Sequence, residues 1–99
     1  MDHINDRINE LEGYVKEENR NISQVSKNNF YRFMSIIQSN PAISLAEIDE
    51  VEDDVYVKLK DDNGNSLSIR FKSNGEYHFV MFMDHKFECQ GILRKTLLL

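Results

Sequence analysis

The stretch that decides the fold is 55-VYVKLKDDNGNSLSIRFKSNGEYHFVMFM-83. Val55, Val57 and Leu59 alternate with Tyr56, Lys58 and Lys60, and Leu67, Ile69 and Phe71 alternate with Ser68, Arg70 and Lys72. A period of two is the signature of a strand with one dry and one wet face. Between them, Asp62-Asn63-Gly64-Asn65 has hairpin chemistry, and Ser73-Asn74-Gly75 supplies a second Asn-Gly turn. From Tyr77 to Met83 both faces are apolar, with Tyr77, Phe79, Met81 and Met83 on one and Val80 and Phe82 on the other. Such a strand is expected to be central or covered by helices. Asp84-His85 turns the chain into Phe87-Glu88-Cys89, and residues 42–48 are a candidate first edge strand. An antiparallel meander of three to five strands follows.

Upstream of Pro41 the period is helical. Ile4, Ile8, Leu11 and Val15 lie on one face of a first helix and nearly form a two-heptad seam, a candidate self-association surface. Asp2 and Asp6 suit its N-terminus, and Gly13 is a possible early end. The polar stretch 17-EENRN-21 reads as a connector. A second helix opens near Ser23, with Ser23 or Ser26 as N-cap and Ile22 as a staple, and buries Val25, Phe30, Phe33, Met34, Ile36 and Ile37. Asn40-Pro41 ends it. The expectation is a single α+β domain over residues 1–99, with a helical half (1–40) packed on an antiparallel sheet (41–99).

Composition narrows the function. The chain has 99 residues, 40% of them hydrophobic, which is enough for one modest core. Its net charge of −5 opposes general binding of nucleic acid, whose phosphates call for Lys and Arg. Cys89 is the only cysteine, so no intrachain disulfide forms. With no basic-apolar leader and no apolar run near the length of a membrane span, a cytoplasmic protein is expected.

No catalytic pattern emerges. Asp61-Asp62-Asn63-Gly64-Asn65 has the oxygen richness of a calcium loop, but its glycine comes too early and Lys72 stands where a bidentate Glu is needed. His78, His85 and Cys89 lack the spacing and the fourth ligand of a structural zinc site. Cys89 and His85 lack anything resembling an oxyanion hole. We therefore expect no metal, no cofactor and no enzyme activity.

Two features suggest contact with a protein. The acidic run Glu47, Asp49, Glu50, Glu52, Asp53 and Asp54 suits a basic partner, and otherwise reads as a solvated loop. The tail ending in Leu97, Leu98 and Leu99 is a candidate docking segment, or a last element packed on the sheet. A third surface, Tyr56 with Lys58, Lys60, Arg70 and Lys72, has the aromatic-basic character of an open-sheet RNA binder, although the glycine-aromatic core motif of such domains is missing.

From Leu11 to Leu93 the chain also resembles a diffuse group of small, mostly uncharacterised bacterial proteins. The segments that carry the resemblance are Leu11-Glu12-Gly13-Tyr14, Ile22-Ser23 opening a helix, Pro41-Ala42-Ile43-Ser44, Asp54-Val55-Tyr56-Val57-Lys58-Leu59, and Ser73-Asn74-Gly75-Glu76-Tyr77-His78-Phe79. The group usually has a tryptophan in its first long strand, and this chain has none. The resemblance implies a capped helix followed by a meander and carries over no catalytic residue. Together these features lead to the expectation of a bacterial or mobile-element interaction protein that occludes a partner, as small antitoxins, immunity proteins and phage inhibitors do. A self-associating module and an RNA-binding domain are the alternatives.

Overall fold

The computed structural model describes residues 2–94. Two helices, α1 (Asp2–Glu17) and α2 (Gln24–Ile37), precede five strands: β1 (Ser44–Val51), β2 (Asp54–Lys60), β3 (Ser66–Phe71), β4 (Tyr77–Met83) and β5 (Lys86–Leu93). The strands form one antiparallel sheet in the order β1-β2-β3-β4-β5, so every connection is a hairpin. The expected α+β architecture is the observed one. α1 lies against β1 and α2 against β2 and β3, giving two layers.

α1 runs through Gly13, because burying Val15 offsets the roughly 1 kcal/mol that glycine costs a helix. Its stop is Asn19, left-handed at φ 60. The amides of Asn19 and Arg20 donate to the carbonyls of Lys16 and Val15, at 2.9 Å each. This is a Schellman exit with Asn in place of the usual glycine. α2 is capped by Ser23, whose Oγ accepts from the Ser26 amide at 3.2 Å. Ser26 is fully buried and does something else: its Oγ accepts the Val55 amide at 2.8 Å, joining α2 to β2.

The core contains Ile4, Ile8, Leu11 and Val15 of α1, Phe30 and Met34 of α2, and Ile48, Val55, Val57, Leu59, Ile69 and Phe71 of the sheet. Phe71 is its hub, with ring centroids 5.8 Å from Phe30, 5.7 Å from Phe33 and 5.0 Å from Tyr77. This burial corrects one expectation: the α1 seam is occupied within its own chain and is not left for a second copy. Val25 and Ile36, expected inside, are exposed on the outer side of α2.

β4 meets its expectation in part. It is an interior strand between β3 and β5, covered on one face only. Tyr77 and Phe79 pack on the core, whereas Phe82 and Met83 are exposed.

Candidate interaction surface

The acidic run is not a loop. It forms the second half of β1, a two-residue turn and the first residue of β2. Glu52 and Asp53 have φ of 50 and 72, both left-handed, as a type I′ hairpin turn requires. Non-glycine residues pay about 1–2 kcal/mol each for that conformation. The turn is held from outside: the Ser23 amide donates to the Asp53 carbonyl at 2.9 Å, and the Asp53 amide donates to Glu50 Oε2 at 3.2 Å.

Half of the run is engaged inside the molecule. The Asn19 exit aims Arg20 at the turn, where its guanidinium donates to both carboxylate oxygens of Glu50, at 3.3 and 3.2 Å, and to Asp53. These bonds hold the Glu50 carboxyl below its ordinary pKa and raise that of Arg20. Asp54 is only 2% exposed and sits between Arg70 Nε at 3.0 Å and Lys72 Nζ at 3.4 Å. Glu50, Asp53 and Asp54 are therefore structural, contrary to the expectation of a free docking surface. Glu47 is exposed, Asp49 lies 4.0 Å from Arg7, and Glu52 is 83% exposed although Arg70 reaches it at 3.3 Å. Leu97, Leu98 and Leu99 lie outside the described residues.

The same pairs alter the sheet face that the helices leave open. Register places Glu47, Asp49, Tyr56, Lys58, Lys60, Ser68, Arg70, His78, Val80, Gln90 and Ile92 on it. Over β1–β3 this face is charged, but acids interleave with the bases, and Arg70 and Lys72 are drawn onto Asp54. Tyr56 donates its hydroxyl to Ser68 Oγ, 3.0 Å away, so it is also engaged.

Over β4 and β5 the open face changes character. β5 carries one extra residue at Glu88, since Phe87 pairs with Phe82 while Cys89 pairs with Met81. This bulge brings Phe87 to the open face beside Phe82, with ring centroids 5.9 Å apart, edge to face. Val80 and Ile92 continue the apolar area, and a depression of about 490 Å³ lies between Tyr56, His78, Val80, Gln90 and Ile92. Phe87 is 58% exposed, Ile92 47% and Phe82 36%. The sequence signal was the apolar character of both faces of residues 77–83. The strand is interior, as one form of that expectation has it, but the helices cover only one of its faces.

The remaining sequence candidates are scattered. His78 Nε2 lies 3.1 Å from Glu76, His85 sits in the β4–β5 turn with its ring against Gly64, and Cys89 is exposed on β5. Among the described residues no group of three or more His, Cys, Asp or Glu is placed to hold a metal ion, and no helix is long and apolar enough to cross a membrane. Comparison with protein-family models, curated proteins and solved structures finds no match to this chain.

Proposed function

We propose that this chain is a non-enzymatic protein-interaction domain that binds a protein partner and occludes it, through the open face of β4 and β5. The observation that carries this reading is the uncovered apolar area of Val80, Phe82, Phe87 and Ile92. An open sheet face is normally wet, and a cluster of large apolar side chains on it marks a contact surface. The carboxylates of Glu47 on β1 and Glu52 in the β1–β2 turn, at the far edge of the sheet from β5, stay exposed and favour approach by a basic surface, raising the association rate more than the affinity. The antitoxin, immunity-protein or phage-inhibitor roles expected from the sequence are all forms of this activity.

The test is an affinity pull-down from lysate of the source organism, with and without nuclease, using the parent and a Val80→Lys/Phe87→Lys variant. A stoichiometric protein that survives nuclease and is lost from the folded variant is the expected result. Retention of that protein by the variant, or capture that disappears with the nucleic acid, contradicts the reading. The latter outcome would favour the RNA-binding alternative, whose bases Lys58 and Lys60 lie on the same face.

A further inference from the structure

Beyond that face lies the edge of the sheet. We infer that β5 pairs edge to edge with β5 of a second copy of this chain, antiparallel and two-fold symmetric about Gly91, joining two five-stranded sheets into one.

The edge is open for such pairing. Every residue of β5 except Gly91 is exposed, and among the described residues no side chain hydrogen-bonds to its backbone. An unpaired strand edge presents alternating donors and acceptors that another strand can satisfy.

Symmetry then restricts the register. A two-fold axis that continues a sheet through antiparallel strands must be normal to it. Each residue therefore meets one pointing to the same face, and the axis passes midway between one residue and its own copy. The bulge at Glu88 leaves Cys89–Leu93 as the regular stretch of β5, and Gly91 is its middle residue. Centred there, Cys89 meets Leu93 of the second copy, Gln90 meets Ile92, and Glu88 lies beside Arg94, whose side chain is 72% exposed and also pairs with Glu76 of its own chain. Opposite charges thus close both ends of the ladder. Other centres are worse: a centre at Glu88 sets that acid against its own copy, one at Cys89 draws the bulge into the ladder, one at Gln90 sets Lys86 opposite Arg94, and one at Ile92 or Leu93 shortens the ladder of described residues. Like charges directly opposite are destabilising. Gly91 also fits the axis position because the Phe79 ring already fills its side-chain space, lying 2.9 Å from where a Cβ would stand.

The native cysteine permits a direct test. Cys89 and position 93 are four residues apart along one strand, roughly 13 Å, too far to bridge within a chain. Across the inferred seam they are direct neighbours, about 5 Å apart at Cβ. A Leu93→Cys variant is expected to form a covalent dimer on mild oxidation, whereas the parent, with Cys89 alone, is not. Sedimentation equilibrium of the reduced parent should show mass rising toward twice that of one chain through the micromolar range. A Cys89→Lys/Leu93→Lys variant should remain folded and monomeric. A parent that stays monomeric, a dimer unaffected by the paired lysines, or cross-linking of the parent as efficient as that of Leu93→Cys would each overturn the inference. These substitutions lie on the helix-side face, so they leave Val80 and Phe87 intact. A monomeric parent that still captures a partner removes the seam and keeps the interaction reading, and a cross-linked dimer without a partner does the reverse.

Discussion

β1 and β5 are both eight-residue edge strands with one extra residue, Ala46 in the first and Glu88 in the second, yet they meet solvent differently. α1 lies against β1, its Ile48 is buried, and Arg7 Nε donates to the Ile48 carbonyl at 3.0 Å. The following turn is clasped by Arg20 and by the Ser23 amide. Among the described residues β5 has β4 on one side and no covering element, and its apolar side chains, Phe87, Ile92 and Leu93, are exposed. Edge strands are usually blunted because they template association. One edge of this sheet is blunted by helix and ion pairs, and the other is left available. The difference lies in what covers each edge: helix α1 and the Arg7 and Arg20 contacts at β1, and none of these at β5.

That contrast can be broken from the closed side. Ile8→Asp places an unpaired charge where α1 packs, at a site only 1% exposed. Loss of a cooperative thermal transition by circular dichroism is expected, with a cost above about 4 kcal/mol. A soluble, folded Ile8→Asp protein would instead mean that the α1 face is not core. Asp54→Ala leaves Arg70 and Lys72 facing each other without their shared carboxylate, and should destabilise by about 3 kcal/mol in urea titration. An effect within about 0.5 kcal/mol, typical of a surface site, would return Asp54 to the solvated acids. Ser26→Ala removes the acceptor of the buried Val55 amide and should cost about 1–3 kcal/mol by the same measurement.

The smallest effect is a pH dependence at the open end. Arg94, followed by His78 and Asn74, holds the Glu76 carboxyl down to about 2 from an ordinary 4.5. A depressed carboxyl stabilises the fold above its unfolded pKa, and that contribution is lost as pH falls from about 4.5 toward 2. The thermal midpoint should therefore drop through this window, and the drop should be shallower in Glu76→Gln. Equal slopes in the two proteins would show that the Arg94 pair does not hold the end of β5.

Much of the fold was legible because its turns announce themselves. Gly64 and Gly75 take φ of 84 and 91 while Asn63 and Asn74 do not, so the Asn-Gly signals mark the turns without the type I′ geometry, and the period-two patterns of β2 and β3 match their burial. The β1–β2 hairpin was not legible. Glu52-Asp53 carries no Asn or Gly, and its left-handed backbone is sustained by Ser23 and Arg20, which are distant in sequence. The polar connector 17–21 marks the end of α1, but the capping role of Asn19 was not legible, since it depends on hydrogen bonds around the turn, its own amide to Lys16 and that of Arg20 to Val15, and not on composition. Charge misled at the candidate site. Asp54 and Arg70 are sixteen residues apart, so the pairing that removes both from the surface exists only once register is known. The apolar face of β4 was visible in the sequence, but which face the helices would cover was not.

Native-state amide hydrogen exchange, read residue by residue on the monomeric Cys89→Lys/Leu93→Lys variant, tests the contrast between the edges most directly. Ladder amides of β1 around the buried Ile48 should open with nearly the global unfolding free energy, while those that β5 shares with β4 should exchange orders of magnitude faster by local opening. In the dimeric parent at high concentration the β5 amides should slow, and those of β1 should not change. Equal protection of β1 and β5 in the monomer would contradict the account, because β5 would then be covered by the chain itself.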